Sequence, residues 1–240
     1  MKCVFDFYER IRDDMTQGAR EFYLGAGEII AETYDRERGR KIEQQSLVHF
    51  EEIYATLPDI GGNDNPLIQS FIYAAISLGF FIAAQENGIS REEAGKINYD
   101  IIEYYYHSEE EKGELVHATP ESIHKQEIQI QKKSALPSLP ENWVTRLIRS
   151  SNEQADIVWN NRECAILKLY EKYNAREYVP FMCMIDAITY PMRGLGLTRT
   201  QTLVDSDYCD FQVKLGGTTQ LEPYVEQLLK KWKKNKNPST

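Results

Sequence analysis

The 240-residue sequence predicts an α+β fold, in which an N-terminal helical half packs with a C-terminal antiparallel sheet of about four strands carrying inserted helices. Three observations predict it. Apolar residues recur at helical spacing through residues 3–106, runs rich in β-branched and aromatic residues begin only after Trp143, and a last amphipathic stripe starts at Leu221. With 42% hydrophobic and 11% aromatic residues the chain can bury a real core. One domain is expected, made of a helical segment (residues 1–106), a connector (residues 107–142) and a sheet-bearing segment (residues 143–240).

In chain order, Val4, Phe7, Tyr8, Ile11 and Met15 fall on one helical face and predict a short amphipathic helix over residues 3–16. The same period continues over residues 19–57. There Phe22, Tyr23, Ile29, Ile30, Tyr34, Leu47, Phe50, Ile53 and Tyr54 are the core candidates, Gly39 is an interruption, and Pro58 with Gly61 and Gly62 is the stop. The most apolar run, residues 67–84, approaches membrane-spanning length, but Gln69, Ser70, Ser77 and its amphipathic flanks favour a buried helix. Asn65 as cap, Pro66 at the first position and Gly88 at the stop frame it. Ser90 and Glu93 form a capping-box pattern that starts a further helix, running to about Tyr106. Consecutive residues on a helix point different ways, so Tyr104, Tyr105 and Tyr106 are expected to divide between core and surface.

Residues 107–142 open on Glu109, Glu110 and Glu111 and end in Pro137, Pro140 and Glu141, which reads as a helical or irregular connector. His107, His117 and His124 lie near it at spacings that match no compact ligand pair, so solvated histidines are expected. Strands are expected at 144–148, 156–159, 196–204 and 208–215, with Asp205-Ser206-Asp207 as a hairpin turn between the last two. Helices are expected at 164–173 and 179–190. Leu221, Tyr224, Val225, Leu228, Leu229 and Trp232 form the stripe of a terminal helix, whose basic end from Lys230 to Lys236 suits the helix dipole.

The formal charge of −9 opposes nonspecific binding to nucleic acid, which needs an excess of Lys and Arg. Charges interrupt the first ten residues where a signal peptide needs an apolar run, and the four cysteines show no close pairing. A cytoplasmic protein with reduced thiols is therefore expected, with no membrane partner and with homo-oligomerisation left open.

Chemistry-bearing residues concentrate between Cys164 and Phe211, where three of the four cysteines fall together with Asp186, Arg199 and Asp210. Asp186 follows Cys183 at a spacing of three, which on a helix places thiol and carboxylate on one face. Three readings stay open. A cysteine attacks as a nucleophile if a cation such as Arg199 lowers its pKa or if Asp186 or Asp210 takes its proton. Alternatively Cys164, Cys183 and Cys209 ligate a metal, although spacings without C-x-x-C pairs argue against it, or they are inert core thiols. Arg199, alternating with Leu197 and Leu203 on an extended strand, needs a carboxylate. That carboxylate is either Asp186 or Asp210, or it belongs to a ligand gripped at two points by the planar guanidinium.

The succession Cys164, Cys183-Met184-Ile185-Asp186, Leu197-Thr198-Arg199-Thr200-Gln201-Thr202-Leu203 and Cys209-Asp210-Phe211 resembles the C-terminal signature of the L-2-amino-thiazoline-4-carboxylic acid hydrolase family. Two departures stand out: Asp205-Ser206-Asp207-Tyr208 replaces a glycine-containing turn, and Gln212 replaces a basic residue. The resemblance implies hydrolysis of a cyclic amidine-like C–N bond in a small carboxylated heterocycle, opening a thiazoline ring toward a carbamoyl-cysteine. It implies Cys209 or Cys183 as nucleophile, Asp186 and Asp210 as acid–base or orienting groups, and Arg199 as carboxylate clamp, with Thr200, Thr202 and Cys164 beside the substrate. No cofactor or metal is expected. The alternative from another class is a small-molecule binding or sensing domain whose cysteines are redox groups or metal ligands, without turnover.

Overall fold

A computed structural model describes residues 2–135, 139–148 and 154–236, with side chains from Phe7 onward except 135 and 233–236. The Val4 side chain, Pro137 and the side chains 233–236 of the basic helix end lie outside what is described. In chain order the elements are α1 (Lys2–Thr33), α2 (Arg36–Tyr54), α3 (Ile68–Glu86), α4 (Arg91–Lys112), α5 (Pro120–Ala135), β1 (Val144–Ile148), β2 (Ile157–Glu163), α6 (Ala165–Lys172), α7 (Val179–Cys183), α8 (Asp186–Met192), β3 (Leu195–Thr198), β4 (Cys209–Leu215) and α9 (Pro223–Lys236). The architecture is α+β. Two compact units are assembled from these: the first holds α1–α3, α4 up to Ile101, α6 and α7 up to Met182; the second holds the rest of α4, α5, the four strands, α8 and α9.

In the first unit, α1 packs on α2 and α2 on α3. The sequence places a break near residues 16–19 and another at Gly39, but α1 runs unbroken to Thr33. The chain turns instead at Asp35, whose side chain accepts from the Arg38 N–H at 2.8 Å and caps α2. Asp35 supplies the lone acceptor needed to start a new helix, whereas Gly18 carries no such group. Gly39 serves another purpose: a Cβ there would lie 2.4 Å from the Gly27 carbonyl oxygen, so glycine lets α1 and α2 approach closely. Tyr34, expected in the core, stands 41% exposed at this turn and donates to Glu93 Oε2.

α3 is long and apolar enough to cross a membrane by composition, yet it is buried on most sides inside the first unit. Two of its backbone carbonyls, Ile76 and Ala74, accept from the hydroxyls of Tyr23 (2.8 Å) and Tyr170 (3.0 Å). Phenol groups buried this deeply need such partners. Asn65 Oδ1 accepts from the Leu67 N–H ahead of α3, and Gly88 leaves its end at φ +74°.

The second unit is built on an antiparallel sheet of order β1-β2-β4-β3. α5 lies against β1 and α8 against β3. α5 gives regular helix to the stretch read as a connector, and its start is fixed by Thr119 Oγ1 accepting from the Ser122 N–H at 3.2 Å. The strand expected over 196–204 ends at Thr198. Beyond it the Arg199 N–H donates to the Gln220 carbonyl (2.9 Å), and the N–H groups of Thr200 and Gln201 both donate to Asp210 Oδ1 (2.9 Å each). A side-chain acceptor thus replaces the β ladder, and β hydrogen bonding stops. On α9, Leu221, Val225, Leu228 and Trp232 are buried, while Tyr224, expected in the stripe, is 50% exposed.

Candidate active site

Residues 184–185 form a turn that separates α7 from α8, so Cys183 ends one helix and Asp186 begins the next. In an unbroken helix the Cys183 carbonyl would receive the Ala187 N–H; here that N–H goes to Met184 at 3.0 Å. The carbonyl left open accepts Arg199 Nη2 at 2.9 Å. The same guanidinium donates through Nε and Nη2 to the two oxygens of Glu222 (3.0 and 3.1 Å) and through Nη1 to Asp186 Oδ2. Its planar face lies 5.5 Å from the Phe211 ring, which stacks on Trp159 at 4.9 Å and 9°. Arg199 is 2% exposed, and desolvation opposes its charge, but the two carboxylates outweigh this and raise its pKa further.

Glu222, which lies just ahead of α9, is not legible in the sequence. It precedes Pro223 in a loop, and no local pattern says that the start of α9 returns to Arg199. It occupies the two-point grip that the sequence offers to a ligand carboxylate. The carboxylate expected for an internal ion pair is Asp186 together with Glu222, and not Asp210.

Asp210 is turned to another task. Neighbouring residues on β4 face opposite sides of the sheet, so Cys209 and Phe211 lie on the buried side with Trp159 and Asn161, while Asp210 faces away. There its carboxylate accepts the Thr200 N–H, the Thr200 hydroxyl (2.8 Å) and the Gln201 N–H, which fixes the loop after β3. Thr202 is buried and its Oγ1 accepts from the Val204 N–H at 3.4 Å, inside the turn that leads to Cys209. Both threonine hydroxyls are therefore engaged in shaping this loop.

The three thiols Cys164, Cys183 and Cys209 come within electrostatic reach of one another, and Cys183 and Cys209 also of Asp186. Cys164 and Cys183 are half-buried and Cys209 is buried. Burial pushes the Cys183 thiol well up, against a lowering by Arg199; it pushes Cys209 up to about 12, against a lowering by the Leu203 N–H that reaches its Sγ at 3.2 Å. Asp186 is also raised, because burial outweighs the attraction of Arg199. Resting thiols beside a basic carboxylate are the result. Tyr190 and Tyr106 complete the group: burial raises both, and the Asp186 charge raises them further. Sequence spacing marks neither tyrosine as a site residue, since it does not say which face of α8 meets the thiols. Among the described residues no three His, Cys, Asp or Glu side chains are grouped as a metal site requires.

A stability prediction follows from Cys209. Its folded pKa lies above that of an unfolded thiol, about 8.5, so the folded protein keeps the proton longer and this contribution is present below about pH 8.5 and lost as pH rises toward about 12. The urea midpoint of the wild type is expected to fall more steeply between about pH 8 and about pH 10.5 than that of Cys209→Ala. Parallel curves would show that burial of this thiol is not the cause.

Fold and site define an α+β protein with thiols, a carboxylate and a buried guanidinium gathered beside an antiparallel sheet. The family model of L-2-amino-thiazoline-4-carboxylic acid hydrolase matches residues 69–213, more than half of the chain, and the chain belongs to that family. The match includes Cys164, Cys183, Asp186, Arg199, Cys209 and Asp210, and it ends before Glu222. No curated protein and no solved structure matches the chain.

Proposed function

We propose that the chain is a thiol-dependent hydrolase that opens the ring C–N bond of a small carboxylated cyclic amidine such as a 2-aminothiazoline carboxylate. The observation that carries this reading is the grouping of Cys183 with Asp186 under the buried Arg199, inside the region that matches the family. Cys183 is the nucleophile because it is half-buried and shares the Arg199 guanidinium with Asp186 through its carbonyl, whereas Cys209 is buried and its sulfur already accepts a backbone N–H. A thiol with a raised pKa needs a base, and the raised pKa of Asp186 brings the carboxylate closer to that task.

In this mechanism the substrate enters as the amidinium, and Asp186 takes the Cys183 proton as sulfur bonds to the amidinium carbon and the C=N π pair passes to the ring nitrogen. The ring C–N bond then breaks, and the leaving nitrogen receives the proton from Asp186. Water next adds to the same carbon as Asp186 takes one of its protons, the C–S bond to Cys183 breaks, and the departing sulfur receives that proton from Asp186, which restores the thiol. One water is consumed and a carbamoyl-cysteine is released. Arg199 acts through Asp186 and the Cys183 carbonyl as a positioning residue, holding both ends of the helix break.

Turnover of 2-aminothiazoline-4-carboxylate is expected to survive a strong chelator and to be lost on alkylation with iodoacetamide. Loss with the chelator and indifference to iodoacetamide would favour the alternative, a metal-dependent binding or sensing domain.

A further inference from the structure

We propose that Arg193, at the end of α8, is the specificity-determining residue that takes the carboxylate of the substrate. This rests on the hydrolase reading above, which requires a cation for a carboxylated heterocycle, and Arg199 cannot supply it. Its guanidinium is 2% exposed and makes four hydrogen bonds to Glu222, Asp186 and the Cys183 carbonyl. Opening it to a ligand would strand two carboxylates.

Arg193 has the opposite character. It is exposed, and among the described residues its guanidinium has no ion pair and no hydrogen bond. Its position is nonetheless fixed, because its carbonyl accepts the Ala118 N–H at 2.8 Å and its own N–H donates to Tyr190 at 3.1 Å. Asp186 and Tyr190 stand at i and i+4 on one face of α8, and Arg193, the C-cap at i+7, follows that face at the helix end, about 10 Å along the axis from Asp186. Tyr190 and Tyr106 both feel the Arg193 charge and the Asp186 charge, which places the cation beside the same group. A small heterocycle with its amidine carbon at Cys183 and Asp186 would then present its carboxylate along α8 to a cation with unused donors.

The test compares wild type, Arg193→Gln and Arg193→Lys on 2-aminothiazoline-4-carboxylate and on 2-aminothiazoline, which lacks the carboxylate. KM is measured for both, and binding of both is titrated calorimetrically to proteins that also carry Cys183→Ser. Arg193→Gln is expected to weaken KM and binding of the acid about 10- to 100-fold with kcat little changed, to leave 2-aminothiazoline unaffected, and to be partly rescued in Arg193→Lys. Equal effects on both compounds, or none on the acid, overturn the inference while turnover by the wild type keeps the hydrolase reading. Carboxylate-dependent binding that needs Arg193, without turnover by the wild type, supports Arg193 and overturns the hydrolase reading. Absence of any binding of the acid overturns the assignment of Arg193.

Discussion

Replacing Arg199 with alanine is expected to lower the unfolding free energy by about 3–5 kcal/mol, measured by urea denaturation near neutral pH. The substitution removes a cation that is 2% exposed and leaves Glu222 and Asp186, with side chains 13% and 26% exposed, without their common partner. It also leaves the Cys183 carbonyl unsatisfied at the helix break, and it removes the guanidinium stacked near Phe211. Arg199→Lys keeps the charge but not the fork that reaches Glu222 at two points, so an intermediate loss is expected. Combining Arg199→Met with Asp186→Asn and Glu222→Gln should recover much of the stability, because the stranded charges cause most of the cost. An Arg199→Ala protein that unfolds at the wild-type urea concentration would show that this ion pair does not hold the region together.

Cys183→Ser is expected to lower kcat/KM on 2-aminothiazoline-4-carboxylate by at least about 1,000-fold while the protein stays folded, because a serine hydroxyl beside Asp186 is a far weaker nucleophile than a thiol. Cys209→Ser is expected to keep most of the activity, since its role is to fill the buried face of β4. The reverse pattern would move the nucleophile to Cys209. Full activity in both variants would remove Cys183 and Cys209 as nucleophiles and leave Cys164 as the one thiol of the group still to be tested.

Much of the fold is legible in the sequence, for identifiable reasons. α3 follows from a long apolar run with a clear stop at Gly88, α9 from its amphipathic stripe, and β1 and β4 from β-branched runs at nearly the observed bounds. Cys183, through its carbonyl, and Asp186, through its carboxylate, both bond to Arg199, and a turn between two helices, not the one continuous helix that their spacing suggests, lies between them. What local pattern cannot carry is long-range. Glu222 reaches Arg199 across 23 residues, and the capture of the Thr200 and Gln201 N–H groups by Asp210 cuts β3 short. Period-2 alternation past Thr198 misleads for that reason, since a side chain has taken the place of the neighbouring strand. Arg193 carries no signal of its own, because an exposed arginine at a helix end is ordinary; it gains meaning only when Arg199 is seen to be fully engaged.

The most direct measurement follows 2-aminothiazoline-4-carboxylate carrying ¹³C at the amidine carbon through reaction with the purified protein, with and without prior iodoacetamide. The account predicts that the amidine signal gives way to that of a carbamoyl carbon in carbamoyl-cysteine, and that alkylation at Cys183 abolishes the conversion. An unchanged amidine signal with the untreated protein, or conversion at the same rate after Cys183 is alkylated, would contradict it.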